Sequence, residues 1–305
     1  MAKQASILCP QDFSSCSELA LLHACELAKL FQQPLELIHV LQVPLLPEPA
    51  MGMGMGMTVE ALDSFFRRAG ELLEQQRRLA ERHGAVATTR LVEGSPARVI
   101  AMRTRTPDIS LVVMGTHGRN ALGRTFVGSV AERVLRTAEV PVMTVRQPEG
   151  VANQQIEVRL KRTYQRVAVA YDFSEPARLA LEFAAHVVRS TGGRIELIHV
   201  HPGVYWGELQ PNFADPWPSP ELAARYMRFL EAELRRVVPS DLLERTRCHA
   251  LEGDPKQAVL ARAQDVHAEL ICVGATGKGG VERAMLGSVS HSIVRHSPVP
   301  VLTVP

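Results

Sequence analysis

The chain repeats itself once, at a distance that fits a duplicated domain. Leu35-Glu36-Leu37-Ile38-His39-Val40 returns as Ile195-Glu196-Leu197-Ile198-His199-Val200, and Asp12-Phe13-Ser14 returns as Asp172-Phe173-Ser174, both shifted by 160 residues. Gly115, Gly118, Gly128 and Ser129 return as Gly274, Gly277, Gly287 and Ser288, shifted by 159. Solenoid repeats recur every 20–50 residues or so, and a period this long is instead a whole folding unit. Each half of a 305-residue chain can bury its own core. The expected division is a first domain over 1–146, a linker over 147–163 and a second domain over 164–305. Pro148, Gly150 and Asn153, followed by Arg159, Lys161 and Arg162, give that linker its polar, turn-forming character, although 156–160 could form a short extended piece.

Within each copy, short apolar runs alternate with segments of helical period. The first copy reads as strands over 5–9, 35–41, 86–92, 109–114 and 142–145. Helices are expected between them over 14–31, 59–83, 95–105 and 129–137, the first capped by Ser14 or Ser15. Pro96 stands at a first helical position, where its missing N–H is not needed. The second copy repeats the order, with strands over 166–171, 194–200, 246–251, 270–273 and 299–304 and helices over 175–190, 220–238, 255–266 and 288–295. Strands separated by helices imply right-handed crossovers and a parallel sheet covered on both faces. The expected fold class is therefore α/β: two tandem doubly wound, Rossmann-like sheets of five strands in the order 3-2-1-4-5. Such a sheet has its topological switch between strands 1 and 4, where ligands bind beyond the carboxyl ends of the strands. Asp12 follows strand 1 and Gly115 follows strand 4, so the two converge on one crevice.

The chemistry of that crevice comes from G-x₂-G-x₉-G-S, present in both copies. Glycine allows positive φ and a close backbone approach to a ligand. Free N–H groups at Gly128, Ser129 and Val130, together with the helix dipole, favour a phosphate. Ser129 adds a hydroxyl, which could instead cap the helix. A bland reading competes: the glycines shape a tight βα connection and nothing more. Retention of all three glycines, the serine and both spacings in two copies favours the phosphate. No Walker A loop is present, and Pro10-Gln11-Asp12 and Ala170-Tyr171-Asp172 replace a dinucleotide fingerprint after strand 1. Asp12 and Asp172 suit a base or a ribose, and equally suit a helix N-terminus.

Taken together, the glycine signature after strand 4, an Asp after strand 1 and a His-Val ending strand 2 resemble the universal stress protein family. The resemblance spans both halves and is to its tandem type. It implies stress-response or regulatory function through bound ATP, often with a divalent metal such as Mg or Mn on the phosphates. Carried over, it puts adenine and ribose against Pro10, Asp12, Val40 and Gly115, and phosphates against Gly118, Gly128, Ser129 and Val130. In the second copy the counterparts are Ala170, Asp172, Val200 and Gly274, then Gly277, Gly287, Ser288 and Val289. Ala170 replaces Pro10, which matters little where the contact is a backbone carbonyl. Thr116-His117 becomes Ala275-Thr276 and Arg119 becomes Lys278; the two basic residues could neutralise phosphate or be solvated loop charges. Members commonly dimerise through the strand-5 edge. Here 142–145 could pair with 299–304 inside one chain, which leaves a further homodimer open.

Other readings narrow the partners. A net charge of +2 is too small to point to nucleic acid or an anionic membrane. Cys9, Cys16, Cys25, Cys248 and Cys272 contain no C-x-x-C pair; Cys9 and Cys272 lie in apolar runs as buried small hydrophobes. With no leader pattern and no run of about 18 apolar residues, the expected location is the cytoplasm, without a membrane span. His39 and His199 recur, and a histidine ending a strand is more often packed or hydrogen-bonded than a ligand. His117 has no copy, so no shared catalytic role is expected of it. The Met-Gly run at 51–57 reads as a loop, or as an adaptable thioether surface for a partner. Its counterpart over 201–220 carries Trp206, Phe213 and Trp217 instead, so the two sites could accept different ligands. No base or general acid converges on the phosphates, and efficient hydrolysis is not expected. Two alternatives remain: an adenylate-transferring enzyme, whose usual S-G-G-x-D-S loop is missing here, and an interaction module with relic glycine loops.

Overall fold

A computed structural model describes residues 5–42, 59–116, 127–147, 164–201, 220–277 and 286–305. The linker beyond Gln147, the Met-Gly run, His117, Gly118, Arg119, Trp206, Phe213, Trp217 and Lys278 lie outside the described residues. The chain divides into two compact units, Met1–Lys161 and Arg162–Pro305.

The first unit runs β1 (Ser6–Pro10), α1 (Ser15–Phe31), β2 (Leu35–Leu41), α2 (Val59–Arg82), β3 (Ala87–Glu93), α3 (Pro96–Arg103), β4 (Ile109–Gly115), α4 (Ser129–Thr137) and β5 (Val142–Val145). Its strands lie in the order β3-β2-β1-β4-β5, with every neighbouring pair parallel. The second unit runs β6 (Arg166–Ala170), α5 (Glu175–Thr191), β7 (Arg194–His201), α6 (Pro220–Val237), a 3-10 turn (Ser240–Arg245), β8 (Thr246–Glu252), α7 (Pro255–Asp265), β9 (Leu270–Gly274), α8 (Ser288–His296) and β10 (Val301–Val304). Its order, β8-β7-β6-β9-β10, is the same, again all parallel. Successive strand residues face opposite sides of a sheet, and Ile7, Leu8 and Cys9 are all fully buried. Both faces are therefore covered, as a parallel sheet requires.

Local chemistry sets the element ends. Ser14 and Ser174 cap α1 and α5, their Oγ accepting from the N–H of Ser17 (3.2 Å) and Ala177 (3.4 Å). Gln32 and Gly192 end those helices in the left-handed region. Several expected ends shift. β4 and β9 take in Gly115 and Gly274, so these glycines are the last strand residues. β10 starts at Val301 because Pro300 has no N–H for the ladder and the Val299 N–H donates to Ser297 Oγ (3.2 Å). The 3-10 turn after Pro239 had no counterpart in the sequence pattern.

Each sheet also buries one carboxylate at the same point. Glu36 on β2 accepts from Arg90 (2.8 Å) and from Arg103 on both oxygens (2.8 and 2.7 Å), and Arg103 also binds Asp108. Burial alone would push the Glu36 carboxyl up, but hydrogen bonds and charge from Arg103, with Arg90, bring it below the usual carboxylate range. Glu196 on β7 instead accepts from His249 Nε2 (2.7 Å), while Arg262 Nη2 stands 3.1 Å from His249 Nδ1. A guanidinium can only donate, so Nδ1 accepts and the hydrogen sits on Nε2. Glu36→Gln removes the charge that two arginines face. It is expected to cost about 2 kcal/mol, below a fully buried pair because Arg90 is half exposed. A urea midpoint unchanged from wild type would refute this.

Candidate functional site

The crevice is built where β1 and β4, or β6 and β9, end. In the first unit Asp12 Oδ1 accepts from the N–H (3.0 Å) and Oγ (2.6 Å) of Ser14, which folds the chain from β1 into α1. Asp172 makes the same pair of bonds to Ser174 (3.0 and 2.5 Å). Each acid thus also shapes its turn.

The glycines act through space rather than through φ. Neither Gly115, Gly128, Gly274, Gly277 nor Gly287 takes a positive φ. A Cβ on Gly115 would meet Cys16 Sγ at 2.9 Å and its backbone carbon at 3.1 Å. On Gly274 it would meet Pro176 Cβ at 2.8 Å, so both let the first helix close onto the fourth strand. On Gly277 it would stand 2.6 Å from Asp172 Oδ2, which puts the glycine loop against the acid from the opposite turn. Gly128 and Gly287 are the N-caps of α4 and α8, and their own N–H groups donate to Thr116 and Ala275 carbonyls, both at 2.7 Å. The amides that open each helix are then those of Ser129 and Val130, or Ser288 and Val289. The first turn of a helix leaves such groups without intrahelical acceptors. Ser129 and Ser288 are the first helical residues and do not cap.

In the second unit these parts enclose one pocket of about 580 Å³, within the roughly 300–1,000 Å³ of small-molecule sites. All eight expected residues line it: Ala170, Asp172, Val200, Gly274, Gly277, Gly287, Ser288 and Val289. In the first unit Pro10 ends β1, Val40 lies on β2, Gly115 ends β4, and Gly128, Ser129 and Val130 start α4. Gly118 lies outside the described residues. Sequence reading missed the α7 wall, Pro255 and Val259, and the floor at Ile198 and Val273. Every crossover helix of such a sheet starts at the carboxyl edge, and Pro255 marked that start. Ser290 was also missed; its Oγ donates to Gly274 O (2.5 Å) where the first copy has Ala131.

The electrostatics suit an anion with a polar head. Asp172 is the one carboxylate among the described lining residues, and the opening of α8, with its dipole, lines the same pocket. Burial pushes the Cys9 and Cys272 thiols far up, so both stay protonated. No cluster of His, Cys, Asp or Glu among the described residues could hold a metal ion, and no described helix is long and apolar enough to cross a membrane. His39 and His199 bond the backbone through Nδ1, to Gln11 O (2.6 Å) and Tyr171 O (2.7 Å), as the commoner reading of such histidines expects.

Known proteins share this fold. The chain is 27% identical to a universal stress protein of Mycolicibacterium smegmatis, across 99% of this chain and 98% of the relative. It is 34% identical over 144 residues to a universal stress protein of Methanocaldococcus jannaschii, covering 47% of this chain and 82% of that one. The crystal structure of a universal stress protein from Archaeoglobus fulgidus superposes with a TM-score of 0.69 at 26% identity, covering 98% and 97% of the two chains. The Universal stress protein family model matches twice, over residues 5–146 and 163–305. With both halves matched and relatives aligned end to end, the chain belongs to the universal stress protein family as a tandem member.

Proposed function

We propose that this chain is an ATP-binding regulatory protein with one nucleotide site in each half, its occupancy acting as the signal in a stress response. The observation that carries this reading is the second-unit pocket: eight residues chosen from sequence meet around one cavity at the switch point of the sheet. Phosphates go to the Ser288 and Val289 amides, the base and ribose to Asp172 and Val200. The first half binds likewise through Pro10, Asp12, Val40, Gly115, Gly118, Gly128, Ser129 and Val130. A Mg or Mn ion carried in on the phosphates would offset their negative charge, to which the Asp172 carboxylate only adds; the Oδ2 facing Gly277 suits a ribose hydroxyl.

Catalysis is not part of the proposal beyond slow hydrolysis. The two halves, 1–146 and 164–305, pair through β5 and β10 in this reading, the location is the cytoplasm, and a further homodimer would use another surface, since that pairing occupies both edges. Titration calorimetry with ATP and Mg is expected to give two nucleotides per chain, and denaturing the purified protein to release adenine nucleotide. Absence of binding by both measurements would leave an interaction module. Rapid turnover in a phosphate-release assay would make it an enzyme.

A further inference from the structure

His39 and His199 recur at the ends of β2 and β7 but have no part in the nucleotide contacts assigned above. Each immediately precedes the valine assigned to the base. The Gln11 N–H donates to Ile38 O at 2.8 Å, and its carbonyl accepts from His39 Nδ1 at 2.6 Å. Tyr171 is held in the same way, by Ile198 O at 2.8 Å and His199 Nδ1 at 2.7 Å. A carbonyl only accepts, so Nδ1 carries the hydrogen in both rings. One residue of the β1–α1 turn, and of its β6–α5 counterpart, is thus fastened on both sides to the neighbouring strand.

The next residue along the chain is the acid of the site, and after it comes an aromatic residue in an unfavourable conformation. Phe13 and Phe173 have φ of 61° and 63°, a region that bulky side chains avoid. Their rings lie against the same imidazoles, with centroids 4.4 Å apart for Phe13 and His39 and 5.1 Å for Phe173 and His199. A strained turn persists where its surroundings over-determine it. The imidazole touches both the carbonyl before Asp12 or Asp172 and the ring after it. His199 itself lines the pocket.

We propose that His39 and His199 are positioning residues for the base-and-ribose end of the two sites. Each fixes Asp12 against Val40, or Asp172 against Val200, by tying the turn to the adjacent strand. The inference rests on the nucleotide reading above. The phosphate end, carried by the fourth strand and the helix after it, is not fastened by these bonds.

The test titrates ATP, GTP and inorganic tripolyphosphate, each with Mg, into the full chain and into the His39→Ala/His199→Ala pair. Losing a neutral hydrogen bond at each turn is expected to weaken ATP about tenfold, to narrow the preference for ATP over GTP, and to leave tripolyphosphate unchanged. The His39→Asn/His199→Asn pair keeps an N–H donor and is expected to recover most of the ATP affinity. Should the alanine pair not fold, each single variant is read against its intact other half. Unchanged ATP affinity and preference in the alanine chains would overturn the positioning role, as would an equal loss for tripolyphosphate. Wild type that binds no ATP overturns the nucleotide reading itself, a separate result.

Discussion

A Gly287→Val chain is expected to bind one ATP where the wild type binds two, a Gly128→Val chain likewise, and the double variant none. The backbone permits the change, since Gly287 has φ −59° and ψ 149° and Gly128 has φ −59° and ψ 145°, values open to any residue. Space does not. A Cβ on Gly287 would already lie 3.2 Å from Ala275 O, and the two further methyls would fill the approach to the Ser288 and Val289 amides. Hydrogen bonds to a charged group are worth about 1.5–3 kcal/mol each. Losing two lowers affinity at that site by about a hundredfold or more. Calorimetric stoichiometry reads the result, with the melting temperature as the check on folding. Two nucleotides retained by the double variant would sink the phosphate assignment. Gly274→Ala makes the contrast: its Cβ meets Pro176 and the Ala177 backbone within 3.0 Å, so that change should damage the fold before it touches ligand.

The same glycines show where sequence reasoning reached and where it stopped. Alternating apolar runs were enough for the strand order, because each buried strand had to be apolar on both faces and each crossover had to be a helix. Spacing was enough to bring Asp172 and Gly277 together, at a separation of 105 residues, with the glycine against the carboxylate. The reason for the glycines was not legible. Positive φ is the ordinary argument for a glycine loop, yet the described loop glycines avoid it, and the turn residues that take it are Phe13 and Phe173. That conformation is bracketed locally by the Asp12–Ser14 and Asp172–Ser174 bonds, and it also meets the imidazoles of His39 and His199 from another strand, a contact no local propensity encodes. The Gly128 and Gly287 N–H groups were expected to face a phosphate and instead bond Thr116 and Ala275, closing the loop neck. Backbone pairing of this kind depends on where two distant segments meet. The α7 wall of the pocket escaped for the same reason.

His23 gives the other large effect, on stability rather than on ligand. It sits in the middle of α1 with both helical neighbours buried, and only 5% of it is exposed. Burial pushes its imidazole down from 6.5 to about 4. The sign depends on which state takes up the proton more readily. Between those two values the unfolded chain is protonated and the folded chain is not. Stability from this group is therefore complete above about pH 6.5 and is lost as the pH falls toward 4. From pH 7.5 to 4.5 that loss is roughly 2 to 3 kcal/mol. The second copy carries Phe183 at the same point of α5, so the helix position accepts an apolar side chain. His23→Leu has similar volume and cannot titrate. Its urea midpoint for the first unit is expected to stay nearly flat from pH 7.5 to 4.5, while that of wild type falls. The comparison uses the slope, because the substitution also removes whatever the imidazole contacts and shifts stability at every pH alike. Acid loss from Glu36, whose depressed carboxyl gives up its stabilisation as pH falls through the ordinary carboxylate range and below, is common to both chains and cancels. Parallel acid limbs in the two proteins would mean that His23 is not held neutral in the folded state, and that the core of α1 admits a charge.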